Sequence, residues 1–334
     1  MKKILLFLLL AASAMQGWAQ DPSEAPAQRP TNPVSAPQKL IFVPDSLKPY
    51  DFNKDDERWC WRHSAQTQNI VYFWEKPFGD NPQNPPSLEG KPMKFDLGNL
   101  QTQVERFYRF FRDTLKFSLP GSICDQYKMM VMVNYSLEGT AYGGTYDDFI
   151  GALWVTPNRI QDKKLNCLAH ELGHSFQLQI MADKTGEAWG GSGFFEMTSQ
   201  WMLWRVNPEW ITDEKYHFDA FRQLTHKGYL HLDNIYHSPY VIEWWAEKHG
   251  LESIAQLYRE GKVGEDPVVT YKRKYKITQK QFNDEMFDCY RHLVNFDFDY
   301  ARKETRPYAC TFDARRRRKK IVYLRRNTVW VPEN

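Results

Sequence analysis

The sequence predicts an α+β fold, with a small mixed sheet followed by a mostly helical part, and three observations predict it. Short apolar runs at 69–74 (NIVYFW), 128–135 (KMMVMVNY) and 150–155 (IGALWV) have the length and the β-branched and aromatic content of strands. From residue 161 the apolar positions switch to a period of 3.6. Beyond residue 194 the helical pattern recurs segment after segment.

The chain opens with Met1, Lys2 and Lys3, an apolar run at 4–10, and small residues ending at Ala19. That order predicts a signal peptide over 1–19. The apolar run is shorter than the roughly 20 residues a membrane span requires. The first cysteine is Cys60, so no lipid anchor is expected at the mature N-terminus. A secreted or periplasmic protein is the expectation. Residues 20–38 are rich in Pro, Ala and polar residues without periodicity, the composition of a disordered linker.

The domain proper is expected over 39–300, with its sheet part at 39–158. Within it, 100–116 places Val104, Phe107, Tyr108, Phe111 and Leu115 on one face of an amphipathic helix. Gly139 to Gly144 reads as a Gly-rich turn before the strand at 150–155, which Pro157 closes. The helix at 160–181 carries Leu165, Leu168, Ala169, Leu172, Phe176 and Ile180 on one broad stripe. A Gly-rich reversal at 186–193 leads into the helical part at 194–300. Its first helix ends at Asn207-Pro208, and others are expected at 214–226, 240–249, 251–259 and 279–294. The final stretch, 301–334, joins RRRRKK (315–320) to a strand-like alternation. It is a basic edge strand by one reading and a patch for anionic glycans or lipid headgroups by the other.

Without Lys2 and Lys3 the chain has 42 basic and 41 acidic residues, a balance that supplies no field for nucleic acid. Aromatics make up 15%, including 12 Trp, enough for a large core or for a glycan or peptide groove. Five cysteines leave at least one unpaired in an exported protein. Cys167, on the helix one turn before His170, is the expected free thiol. Cys60, Cys124, Cys289 and Cys310 allow three pairings among themselves.

The chemistry concentrates in HELGHSFQ, residues 170–177. Residues four apart share a helix face, so His170 and His174 aim two imidazoles at one point, and Glu171 stands beside them without being a ligand. This is the HExxH arrangement, in which zinc activates water and the carboxylate takes its proton. Gly173 lowers helix propensity by nearly 1 kcal/mol, which a close approach of backbone or substrate would offset. Catalytic zinc requires a third protein ligand. Gln177 and Ile180 stand where a metzincin has glycine and histidine, so the ligand lies elsewhere. Glu196, on its own helix after the reversal, is the candidate; Asp183 is the alternative, and Glu187 reads as a loop carboxylate. Gln177 either orients a ligand or lies on the surface.

HELGHSFQ followed by GFFEMTSQ resembles the gluzincin class of zinc metallopeptidases, in the HExGHxxQ form of enhancin-like and mucin-degrading enzymes. Together with NPEW and IYHSPYVIEWWAEKHG, it is similar also to an uncharacterised family of exported bacterial proteins, whose members continue past this chain's last residue and so imply a truncated further module. The resemblance implies a zincin-like catalytic domain holding one Zn2+ ion on His170, His174 and Glu196, with Glu171 as general base and a protein or glycoprotein as substrate. It also implies that the strand at 150–155 receives an extended peptide on the sheet edge, with an ordinary core strand as the equal alternative. Tyr236, His237 and Tyr240 are the candidates for stabilising the oxyanion. The contrasting expectation is a metal-containing module that binds glycan or glycoprotein without catalysis.

Overall fold

Three strands with few polar side chains organise the molecule. The computed structural model describes residues 38–305 and the backbone of 321–322 and 331–332. Lys39–Asn334 form one compact unit. The expected signal peptide, all of the expected linker except Gln38, the basic run 315–320 and Cys310 lie outside the described residues.

Strands β1 (Ser64–Gln66), β2 (Ile70–Trp74), β3 (Met129–Val133), β4 (Ala141–Tyr146) and β5 (Ile150–Val155) form a mixed sheet in the order β1-β2-β3-β5-β4. β2 pairs parallel with β3 (Ile70 opposite Met129), and β3 parallel with β5 (Met130 opposite Ala152). The outer strands β1 and β4 run antiparallel to their neighbours. Every residue of β2 and β3 is buried, as continuous apolar strands covered on both faces must be.

Of the two readings of 150–155, the structure bears out the core strand and not the peptide-receiving edge, because β4 covers it. β4 is itself the edge strand, and it contains Gly143 and Gly144, two of the three glycines that read as a turn. The reversal lies instead at Asp147 and Asp148, both in the left-handed region at φ 50° and 49°. In the C-terminal stretch, β6 (Ile321–Val322) and β7 (Val331–Pro332) pair antiparallel.

Helix α1 (Leu97–Arg109) starts at Asp96, whose carboxylate accepts the Asn99 N–H, and continues as a π turn over Phe110–Thr114. Its predicted stripe, from Val104 to Leu115, is fully buried. After the short α2 (Ile123–Gln126) and the sheet comes α3 (Asn166–Ala182), packed against β4, β5, α1 and the next helix, α4 (Gly193–Val206). The remaining helices are α5 (Trp210–Asp213), α6 (Lys215–Gln223), α7 (Tyr240–His249), α8 (Ser253–Glu260), α9 (Pro267–Tyr275) and α10 (Gln279–Asn295). α9 was not expected from periodicity; it starts at Asp266, capping Val268 N–H, with Pro267 in its first turn.

Trp201, Trp204, Trp210 and Trp245 are fully buried, so much of the tryptophan content serves the core. The cysteines correct the expectation of bridges. Cys60, Cys124 and Cys289 are free and buried in separate surroundings, and Cys167 is free as expected. Cys60 Sγ lies 3.3 Å from His63 Nδ1, while Cys124 neighbours Ser118 and Tyr108. Among the described residues no helix is long and apolar enough to cross a membrane.

Candidate metal centre

α3 is buried nearly all round, so its polar residues must find partners inside the protein. On the sheet side, Ser175 Oγ donates to the Ala152 carbonyl (2.8 Å), and Gln179 Oε1 accepts the Gly151 N–H (2.9 Å). On the opposite side lies α4. A methyl group at Gly173 would collide with Ser199 Oγ and lie 3.3 Å from Ser199 Cα. Gly173 therefore lets the two helices cross closely, and Ser199 Oγ donates to the His170 carbonyl at the crossing. A methyl on Gly143 would likewise overlap the Glu171 backbone, so glycine lets the edge strand lie against α3.

The crossing brings together what the Gly-rich reversal separates in sequence. Nε2 of His170 and Nε2 of His174 lie 3.0 Å apart, and Glu196 Oε2 lies 3.2 Å and 3.1 Å from them. Both histidines are buried, and the Glu196 side chain is 19% exposed. Asp183, the alternative ligand, instead ends α3, accepting from Ile123 N–H and Gln179 Nε2. Glu187 caps its own loop through the Ala188 and Trp189 N–H groups, as its loop reading implies.

Two glutamines decide the tautomers. Gln177 Nε2 donates to the Phe195 carbonyl (2.8 Å) and to Tyr258 Oη (2.7 Å). A carbonyl only accepts, so Oε1 of Gln177 must face His174 Nδ1, 2.8 Å away. Gln200 Nε2 donates to the Tyr236 carbonyl (2.8 Å), which turns its Oε1 toward His170 Nδ1 at 2.7 Å. Both Nδ1 atoms are therefore the protonated ones, and both Nε2 lone pairs face the carboxylate oxygen. Three lone pairs about 3 Å apart repel unless a cation sits among them. The residues present fit a metal ion: two imidazoles and a carboxylate, each imidazole oriented by an outer hydrogen bond. Gln177 thus orients His174 and is wholly buried. Gln200 was not singled out in the sequence; its place one turn after Glu196 on the same helix was the available signal.

Glu171 stands outside the cluster. Its Oε2 accepts the Gly143 N–H at 2.8 Å, and burial raises its pKa against the pull of His170 and of that N–H. The two crossing helices thus present two carboxylates, Glu196 on α4 among the imidazoles and Glu171 on α3 outside them, with burial shifting Glu171 toward protonation.

The three oxyanion candidates separate. Tyr236 lies at the site: its ring is 6.0 Å from that of His170, and it is 42% exposed. Burial, followed by the charges of Glu196 and Glu171, raises its pKa. His237 is engaged elsewhere, its Nδ1 lying 2.7 Å from His217 Nδ1. Tyr240 is wholly buried in α7 against Trp204, Phe221 and Phe296, and is a core residue. Tyr236 thus faces the site, His237 pairs with His217, and Tyr240 opens α7 inside the core, a division that three polar residues close in sequence do not reveal.

No curated protein and no solved structure matches this chain. The match to a family model runs from residue 33 to residue 334, across the sheet, both crossing helices and the Tyr236 segment, and by it the chain belongs to the family of unknown function DUF6055.

Proposed function

We propose that the chain is an exported zinc-dependent metallopeptidase with a gluzincin-like centre, hydrolysing peptide bonds of a protein or glycoprotein. The observation that carries this reading is the convergence of two Nε2 lone pairs and one carboxylate oxygen beside a second, half-buried carboxylate outside the set. His170, His174 and Glu196 would hold the ion. Three protein donors, none a thiolate, suit a catalytic zinc with an open position better than a closed structural one. A bound zinc would supply an acidified water, with its pKa lowered to about 7, and a Lewis acid for the carbonyl.

The chain's residues do the rest. Glu171 is held through Oε2 by the Gly143 N–H, and Oε1 has no hydrogen-bond partner among the described residues. Oε1 takes the proton of the attacking water and passes it to the leaving amine nitrogen. Tyr236 offers its hydroxyl to the oxygen that gains charge as the carbonyl becomes tetrahedral. β4 has one neighbour in the sheet, and its Gly143 N–H points to Glu171, so its open edge runs along the site and can pair with an extended peptide.

The test is to purify the chain, measure zinc per chain, and digest a panel of proteins and glycoproteins with the wild type and with Glu171→Gln. The expected result is one ion on each and cleavage by the wild type alone. A wild type that binds no metal overturns the reading.

A second reading, a metal-containing glycan or glycoprotein module, is favoured by Tyr142. It is 58% exposed and tilted against Trp154 at 5.7 Å, on the sheet face away from Gly143 and α3. Glycan binding indifferent to chelator, with no cleavage of any substrate, would select it.

A further inference from the structure

We propose that Gln200 is a positioning residue that couples metal occupancy at His170 to the placement of Tyr236. This inference rests on the metal-centre reading above and adds to it a link between the ion and a segment of chain that does not ligate it.

The geometry is a short chain of hydrogen bonds. His170 Nδ1–H donates to Gln200 Oε1, and Gln200 Nε2–H donates to the carbonyl of Tyr236, 36 residues away in sequence. The Tyr236 ring lies beside that of His170, with centroids 6.0 Å apart. α4 therefore holds Tyr236 at its backbone, and α3 meets it at its ring. The segment also rests on the start of α4, where a methyl on Gly193 would lie 2.8 Å from Ile235 Cγ2 and 3.0 Å from the Leu230 carbonyl oxygen. Inside the segment, Asn234 Nδ2 donates to the Leu224 and Gly228 carbonyls. Gln200 supplies its hydrogen bond to the metal-bearing helix pair.

The amide of Gln200 can serve His170 and Tyr236 together in one orientation only. With a metal on His170 Nε2 the imidazole proton must sit on Nδ1, Gln200 presents Oε1 to it, and Nε2–H is free for the Tyr236 carbonyl. Without the metal the imidazole proton can move to Nε2 and donate to Glu196. The Nδ1 lone pair then faces Gln200 Oε1, and the amide relieves that repulsion by turning over. Its oxygen would then face the Tyr236 carbonyl oxygen, and the segment loses its tether. The ion also strengthens Nδ1–H as a donor, which polarises the amide and strengthens its donation to Tyr236. A carboxylate at position 200 would accept from His170 equally well but has no N–H for Tyr236. Glutamine is the side chain that does both.

The experiment uses the full chain with zinc alone as probe. Zinc affinity is measured by competition with a chromophoric chelator, and amide hydrogen exchange is followed over residues 228–238 with and without zinc. In the wild type, zinc should slow exchange in that segment by about two- to tenfold, the range one net hydrogen bond supplies. Gln200→Glu should keep zinc affinity within about tenfold of the wild type, because the Nδ1 acceptor remains, yet show no zinc-dependent slowing. Gln200→Ala, which loses both bonds, should bind zinc roughly 10- to 100-fold more weakly and also show no slowing, and it carries the comparison if Gln200→Glu does not fold. Zinc binding that slows the segment equally in wild type and variants overturns the coupling, as does zinc binding with no slowing in the wild type. A wild type that binds no zinc overturns the metal reading and this one together. Intact coupling in a chain that cleaves nothing would overturn only the peptidase reading.

Discussion

Two pairs of histidines lie in this molecule, and they differ in where their second nitrogens point. His170 and His174 stand one turn apart on α3, each with Nδ1 bonded to a glutamine oxygen, so their Nε2 atoms converge on Glu196. His217 and His237 come from α6 and the segment before α7, and their Nδ1 atoms face each other at 2.7 Å. One must donate and the other accept, so a single proton satisfies the pair. Glu214 lies 3.4 Å from His217 Nε2, on the far side of that ring, and is already engaged by Asn166 Nδ2 and Trp210 Nε1. Two rings close together thus make no metal site unless something else takes up the nitrogens that do not converge. Among the described residues, the cluster of His170, His174 and Glu196 meets that condition.

The largest test of this contrast is metal content. Glu196→Ala or His174→Ala should weaken zinc binding by more than the roughly 10- to 100-fold that loss of an outer partner costs. His217→Ala and His237→Ala should leave one ion per chain, as read by metal analysis after dialysis; loss of the ion in either would break the contrast. Next in size is Glu171→Gln, which should lower kcat/KM by about 10²- to 10⁴-fold while zinc content stays unchanged.

The third test concerns the helix crossing that makes convergence possible. Glycine to alanine in a helix ordinarily adds up to about 1 kcal/mol of stability. At Gly173 the new methyl meets Ser199, so Gly173→Ala should instead cost about 1–3 kcal/mol, read as a lower thermal midpoint, and should loosen zinc binding. Unchanged stability would show that the crossing is less tight than its geometry.

The smallest effect belongs to the second pair. Burial, and then the neighbouring His217, lower the pKa of His237 from 6.5. A base whose folded pKa is depressed contributes stability that is fully present above 6.5 and is lost as pH falls through the folded value. The thermal midpoint should therefore decline below pH 6.5, and His237→Asn should make that decline shallower. An identical slope in the variant would remove His237 from the account.

The site was legible in part. HExxH on a helix stripe, and a carboxylate on a helix after a Gly-rich reversal, pointed to His170, His174 and Glu196, because both cues are local: residues four apart share a face, and glycines permit a reversal. The apolar runs at 69–74, 128–135 and 150–155 pointed to strands for the same reason. What eluded the sequence depends on contacts between distant residues. Gln200 matters through a carbonyl 36 positions away, and Glu171 is held by the N–H of Gly143, 28 positions earlier.

By itself, then, the sequence determined the periodicities, the reversal and the residue types a metal ion requires, since these follow from backbone geometry over a few residues. Only the tertiary structure decided that β4 and not β5 is the edge, that Tyr240 belongs to the core while Tyr236 faces the site, and that Cys60, Cys124 and Cys289 remain separate thiols. It also decided which imidazole nitrogen carries the proton. Each of these depends on which surfaces meet across the chain, and a buried polar group takes whatever partner the packing brings within about 3 Å.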